Sequence, residues 1–436
     1  MPQADRSNKR RVAYHTLGCK VNQYDTEAMR ACFEQAGYAT VPFEGQADIY
    51  LINTCTVTGT GDKKSLQLIR RCHRKAPEAQ IIVTGCLAQR APEDLLLPGV
   101  CLVLGTQRRA SIVPLFEQAL QSESPLVAVA PLKGQGFEPL RIEASGHTRA
   151  TMKIQEGCNR YCTYCIIPSV RGPIRSRPLS EIAQEAKRLS DAGFAEIVLA
   201  GIHLTSYGLD LGEGATLLEA IEAAQAPEGI RRVRLGSLEP VVVTPAFVQG
   251  LKALPKVCRQ FHLALQSGSD AVLARMRRRY TAAEFLNACR LLRDAFPDCS
   301  ITTDVMTGFP GETEADFDQT FALCQAARFS RMHVFPYSER GGTLAATFPD
   351  PVARPVRQAR AARLIQLGEE MERAAARAMI GKRVEILVEE AENGLAYGYT
   401  DEYLRACVPQ ARPGEWVLAC VTDWDGQNLV CRRMEA

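Results

Sequence analysis

Three cysteines stand close together in Cys158-Asn159-Arg160-Tyr161-Cys162-Thr163-Tyr164-Cys165. Three thiolates can hold three irons of a 4Fe–4S cluster. The fourth iron then has no protein ligand and stays open to a substrate or cofactor, which marks a catalytic metal rather than a structural one. The competing reading is a structural zinc. Zinc ribbons supply four ligands in two C-x2-C pairs, and no fourth Cys or His lies nearby in sequence, although a distant ligand could complete such a site.

A second set is dispersed. Gly18-Cys19, Thr54-Cys55 and Gly85-Cys86 each close a β-rich run. The ends of parallel strands lie on one sheet edge, where α/β domains place their ligands. Three cysteines far apart in the chain can converge there. Glycine before Cys19 and Cys86 leaves room for a bulky group beside the backbone. The plain alternative is three buried cysteines; their recurrence at three strand ends argues against chance. The other ten cysteines have no motif around them and read as small buried hydrophobes.

The elements that must position these residues follow from the pattern. With 436 residues the chain is expected to form two or three domains. Residues 11–120 alternate strands with amphipathic helices, which implies a parallel sheet. A Rossmann-like α/β domain is expected over 9–120. The stretch 121–148, with SESP, LKGQGF and ASGH, reads as a linker. Strands are expected at 150–156, 196–202, 231–238, 258–265, 300–309 and 331–337, with helices between them. Six βα repeats suggest a partial (β/α)6 barrel, and Cys158 follows its first strand. The long helical stretch 353–380 comes next. Short strands over 381–436, split by Gly, Pro and Asp turns, suggest a small β-barrel. The domain limits are accordingly 9–120, 144–372 and 373–436.

Composition excludes several classes. Hydrophobic residues make up 46% and charged residues 23%, as in ordinary globular chains. The opening MPQADRSNKRR lacks the apolar stretch of a secretory signal. No apolar run of about 18 residues suggests a membrane span. Sixteen cysteines in such a chain favour metal over disulfides, and a cytoplasmic location is expected. Net charge is only +3. The basic residues cluster at 70–75, at Arg171, Arg175 and Arg177, and at 275–279. Each cluster is a candidate phosphate contact or a solvated face.

At these residues the sequence resembles the radical S-adenosylmethionine (SAM) methylthiotransferases. LGCKVNQYDTE, LINTCTVT and VTGCLAQ look like the three segments of the domain that carries their auxiliary cluster. GCNRYCTYCIIPSVRGPIRSRP looks like the radical-SAM segment, and the C-terminal piece resembles a TRAM domain, a small RNA-binding barrel. The resemblance covers nearly the whole chain. It implies that Cys158, Cys162 and Cys165 hold a 4Fe–4S cluster that binds and reductively cleaves SAM to a 5′-deoxyadenosyl radical. It implies that Cys19, Cys55 and Cys86 hold a second 4Fe–4S cluster that delivers sulfur, with a second SAM as methyl donor. Gly201, Ser237, Glu239 and Gln266, at or just after strand ends of the barrel, and Asp304, on its fifth strand, are then candidate SAM contacts. Arg171, Arg175 and Arg177 are candidate contacts to RNA phosphates, the alternative being that they bridge carboxylates within the barrel.

Within the family, GCKVNQYDTE, NTCTVT, IIPSVRGPIRSR, HVFPYSERGGTLAA and YGYTDEYL look most like the subgroup acting on N6-threonylcarbamoyladenosine. The implied substrate is adenosine 37 in the anticodon loop of tRNA, with sulfur at ring carbon 2. The implied partners are tRNA and an electron donor such as a flavodoxin or ferredoxin, and a monomer is expected. The alternatives are the same chemistry on isopentenyladenosine or a ribosomal-protein aspartate, or a non-catalytic metal-containing RNA-binding protein. Basic residues near the TRAM interface would favour threonylcarbamoyl, and an apolar pocket there would favour isopentenyl.

Overall fold

The computed structural model describes residues 10–142, 148–212 and 214–434. The expected domain limits at 9, 144 and 436, and the ASGH part of the linker, lie outside the described residues. The chain forms two compact units. One comprises Met1–Ser145, Gln155–Arg177 and Ser338–Ala346; the other comprises Gly146–Ile154, Pro178–Tyr337 and Thr347–Ala436.

The first unit is built on strands β1 (Arg11–Thr16), β2 (Ala39–Val41), β3 (Ile49–Thr54), β4 (Gln80–Gly85), β5 (Val100–Leu104) and β6 (Leu126–Ala128), in the order β2-β1-β3-β4-β5-β6. Every pairing is parallel. A parallel sheet covered on both faces needs strands that are apolar throughout, and all of β3 is buried. Successive side chains point to opposite faces. Val12, Leu51, Ile82 and Leu102 pack with Phe33 and Phe116 on one side. Ala13, Tyr50, Ile52, Ile81 and Val83 pack with Ile69 and Leu87 on the other. The strand order reverses between β1 and β3. That switch point is where doubly wound sheets open a crevice at their carboxyl ends. The order is the flavodoxin-like one, a refinement of the Rossmann-like expectation.

The 155–177 segment belongs with this unit rather than with a self-contained 144–372 domain, because its polar groups find partners here. Thr106 Oγ1 donates to the Val170 carbonyl at 2.8 Å. The Ala345 amide donates to the Thr163 carbonyl at 2.8 Å.

In the second unit, β7 (Ala150–Glu156) contributes its first residues to a sheet. The last two pair antiparallel with β8 (Arg175–Ser176) in the first unit. Then follow β9 (Glu196–Gly201), β10 (Arg232–Leu235), β11 (Gln260–His262), β12 (Ser300–Thr307) and β13 (Arg331–Pro336). β10, β9 and β7 are neighbours in one sheet, and β11, β12 and β13 form another. Parallel bridges at Val233↔Val257 and Leu238↔Leu263 join the two. The result is the expected six-stranded partial barrel. β10 and β11 are shorter than expected, because the chain leaves regular pairing after Leu235 and His262. Its helix-facing core holds Ile197, Leu199, Val233, Phe261, Ile301 and Val305.

Strands β14 (Arg383–Glu392), β15 (Leu395–Tyr399), β16 (Arg405–Pro409), β17 (Trp416–Trp424) and β18 (Leu429–Arg433) close a small barrel in the order β14-β15-β16-β18-β17. This barrel docks at the N-terminal ends of the partial-barrel strands. Arg234 on β10 donates to Glu196 at 2.9 Å and to the carbonyls of Asp401 and Thr400 at 2.9 and 3.2 Å. Arg149 lies 4.9 Å and 5.1 Å from the Tyr399 and Tyr403 ring centres, and these two rings stack on each other. Arg232 lies 4.6 Å from the Trp416 ring. YGYTDEYL is therefore a docking element here. The basic residues at this interface are matched by Glu196, Glu385, Glu389 and Asp401, so their presence does not discriminate between substrates.

Candidate functional site

Cys19, Cys55 and Cys86 follow β1, β3 and β4, and the fold brings them to one edge beside the switch point. A Cβ added to Gly18 would stand 3.0 Å from the Sγ of Cys55. Cys19 caps the helix Lys20–Gln35, where unsatisfied amides favour negative charge. The ends of β1 and β3 are fastened by a polar network. Asn22 donates to the carbonyls of Leu17 and Thr54 at 2.7 and 3.0 Å. Asn53 donates to the Asn22 carbonyl at 2.9 Å and to Thr26 Oγ1 at 3.0 Å.

The two glycines are also required by the backbone itself. Gly18 and Gly85 adopt φ of +103° and +98°, a region L side chains rarely enter. A Cβ on Gly85 would meet Asn53 Oδ1 at 2.3 Å and the Thr54 carbonyl at 2.5 Å. The missing side chains admit neighbouring chain atoms. Gly85→Ala is expected to cost about 3 kcal/mol and to lower iron retention at Cys86. Urea denaturation and iron analysis check both.

Burial pushes the Cys86 thiol up to about 11, against the opposing effect of Arg171. Burial also raises Cys55. Arg171 is fully buried, and its Nε donates to Cys86 Sγ at 3.2 Å. Its Nη1 donates to Asp25 at 3.0 Å and to Glu156 at 3.0 and 3.1 Å. Burial opposes this charge, but Cys86, Glu156, Asp25 and Cys19 hold the guanidinium well above its ordinary pKa. Arg109, 2% exposed, shares Asp25 and Glu156.

Arg171, Arg175 and Arg177, the candidate phosphate contacts, lie buried in the interior of this unit, and Arg175 Nη2 donates to the Arg171 carbonyl at 2.9 Å. Sequence reasoning missed Asn22, Asp25, Asn53, Arg109 and Glu156. Their signal was a run of polar residues on strands and helices that had to be buried.

The cysteine loop 158–165 is pinned from both sides. The Cys158 amide donates to the Gly172 carbonyl at 3.0 Å, and the Arg160 amide to Cys158 Sγ at 3.4 Å. Cys158 is buried, and Cys162 and Cys165 are partly exposed. Cys86 packs against Ile166 and Val170, just beyond Cys165. One compact unit thus holds both cysteine sets. All sixteen cysteines are free thiols.

Both sets suit anionic thiolate-bound groups: a buried cation touches Cys86, and a backbone amide points at Cys158. Among the described residues no three His, Cys, Asp or Glu side chains form a group that could hold one metal ion. A cluster seats each thiolate on a separate iron, so its ligands need not converge on one point as those of a single zinc must.

In the second unit, Gly201 ends β9, and Ser237 and Glu239 follow β10. Ser237 is exposed. Glu239 is buried between His203 and Arg278, each at 3.0 Å, so Arg278 of the 275–279 cluster turns inward. Gln266 follows β11 with φ +66°, and its Oε1 is buried with no hydrogen-bond partner among the described residues. Asp304 stands apart from these, within β12. It lies between His262 at 3.2 Å and His333 at 3.8 Å.

Residues 152–324 match the model of the radical SAM superfamily, and residues 11–105 that of the uncharacterized protein family UPF0004. The chain is 44% identical, over 90% of its length and 89% of the relative's, to the threonylcarbamoyladenosine tRNA methylthiotransferase MtaB of Bacillus subtilis. It is 36% identical to the MtaB of Thermotoga maritima, covering 97% and 96% of the two chains. It is 38% identical to a tRNA-2-methylthio-N(6)-dimethylallyladenosine synthase of Frankia casuarinae, over 88% and 72%. Among solved structures, the radical SAM methyltransferase TsrM of Kitasatospora setae, with cobalamin and a [4Fe-4S] cluster bound, superposes with a TM-score of 0.57. That match has 15% identity and covers 89% and 77% of the two chains, a likeness of fold. The chain belongs to the radical-SAM methylthiotransferase family.

Proposed function

We propose that this protein is a tRNA methylthiotransferase using SAM and two 4Fe–4S clusters, and that it converts N6-threonylcarbamoyladenosine at position 37 of tRNA to its 2-methylthio derivative. The observation that carries the reading is the presence of two three-cysteine sets in one compact unit, Cys158, Cys162 and Cys165 beside Cys19, Cys55 and Cys86. The first cluster, when bound, supplies the electron that cleaves SAM, and the second supplies the sulfur. The chain's own residues hold and shield these groups. The amide of Arg160 and the guanidinium of Arg171 offset thiolate charge, and the buried packing of Cys86 keeps water from its sulfur.

Gly201, Ser237, Glu239 and Gln266 share the carboxyl ends of the partial-barrel strands, the face that carries active sites in barrels. They are the proposed SAM contacts. The inward-turned Gln266 Oε1 supports this, since a buried acceptor needs a donor. Asp304 is proposed to act one level lower in the barrel, with its carboxylate held between two imidazoles.

An anticodon-loop base is single-stranded and can enter a pocket without opening a duplex. Exposed Lys20, Lys63 and Lys64, close to Cys19 and Cys55 in the chain, replace the buried arginines as candidate phosphate contacts. A flavodoxin or ferredoxin as electron donor, a monomeric state and a cytoplasmic site of action complete the proposal. Among the described residues no helix is long and apolar enough to cross a membrane.

The relatives acting on dimethylallyladenosine favour isopentenyladenosine as the second reading. Mass spectrometry of tRNA nucleosides from a host lacking such an enzyme, with and without this gene, separates the two. A methylthio gain on threonylcarbamoyladenosine is expected. A gain on isopentenyladenosine would keep the chemistry and change the substrate, and no gain on any tRNA nucleoside would refute both.

A further inference from the structure

Arg171 brings a full positive charge into the interior of the first unit. An arginine paired with a carboxylate commonly presents two parallel N–H groups to it. Arg171 does not. Its Nη1 serves Asp25 and Glu156, its Nη2 meets Asn22, and its Nε is turned to the sulfur of Cys86 at 3.2 Å. Arg109 already shares both carboxylates. Arg109 also reaches Glu138 at 3.8 Å, and the Arg171 bond to sulfur is additional to these ion pairs.

The partners connect both cysteine sets. Asn22 and Asp25 lie on the helix capped by Cys19, and Glu156 lies two residues before Cys158. A single planar group therefore touches one cysteine and steadies the segments leading to two others.

Hydrogen bonds and positive charge at a ligating sulfur draw electron density from a cluster and favour its reduced, more negative state. We infer that Arg171 is a positioning residue that raises the reduction potential of the auxiliary cluster through its Nε–H bond to Cys86. This rests on the reading that Cys19, Cys55 and Cys86 hold that cluster.

The test uses full-length protein with Cys158, Cys162 and Cys165 changed to alanine, reconstituted anaerobically with ferrous iron and sulfide. An EPR-monitored redox titration gives the midpoint of the remaining cluster. Arg171→Gln is expected to lower it by at least a tenfold change in the reduction constant, about 59 mV for one electron. Arg171→Lys, which keeps the charge but not the Nε–H, is expected to lower it less. An intact cluster with an unchanged midpoint in both variants would overturn the inference while leaving the cluster assignment standing.

Removing the cation leaves Asp25 and Glu156 short of a partner, so the glutamine variant is also made with Asp25→Asn. A measurement that leaves Arg171 unaltered runs beside it. Labelling arginine with 15N should change the nitrogen modulation in the electron spin echo of the reduced cluster, and no change would overturn the Arg171 contact. Absence of iron from the triple-alanine protein would instead remove the cluster reading, and this inference with it.

Discussion

Protein in which Cys19, Cys55 and Cys86 are all alanine is expected to go on cleaving SAM and to form no methylthio product. Changing Cys158, Cys162 and Cys165 instead is expected to abolish cleavage itself. Two such clusters hold about eight irons, so each triple variant should retain about four per chain. Product should fall by more than about 1,000-fold in either case, because no other residue can replace a lost ligand set. The readouts are iron and sulfide analysis, 5′-deoxyadenosine release and tRNA nucleoside mass spectrometry. Cys72 is the control. It is buried in the core beside Ile69 and Val83, and Cys72→Ala should leave iron content and both reactions intact. Methylthio product from the first triple variant would show that sulfur comes from elsewhere.

The second large effect is on stability. Arg234→Met is expected to cost about 3–5 kcal/mol, the range for breaking a buried ion pair by removing one partner. Glu196 is fully buried, and among the described residues the cations left to it without Arg234 are Arg232 at 3.8 Å and Arg149 at 3.9 Å. The Asp401 carbonyl loses its arginine donor in the same step, and the Thr400 carbonyl keeps only the Tyr403 amide at 3.1 Å among the described residues. Arg290, exposed and paired with exposed Asp294 at 2.8 Å, is the comparison. Arg290→Ala should change stability by no more than about 0.5 kcal/mol. The chain has two tryptophans, and both lie on β17. Their fluorescence during urea unfolding therefore reports on the small barrel that Arg234 holds. Equal midpoints for the two variants would show that the barrel does not depend on this pair.

The cysteine motif and most of the strands were legible from the chain because both are local. C-x3-C-x2-C is a spacing, and runs such as IYLINT and QIIVTG carry the uninterrupted apolar signal of covered parallel strands. The six barrel strands fell near their expected places for the same reason. Convergence of Cys19, Cys55 and Cys86 also followed from sequence, because parallel strands joined by helices must end on one edge. Their place beside a switch point did not follow, since strand order depends on which long-range pairings form.

The arginines show where local signals end. Arg171, Arg175 and Arg177 look the same in sequence whether they meet phosphate or carboxylate. Only the folded chain brings Asp25 from one helix, Glu156 from a strand and the sulfur of Cys86 to a single guanidinium. YGYTDEYL carried a resemblance to the subgroup, and its packing against Arg149 and Arg234 appears only in the folded chain. The sequence by itself determined the ligand types, the alternating elements and the family. The tertiary structure alone decided which charges are buried together, because burying an arginine is tolerable only where its partners, distant in the chain, are already in place.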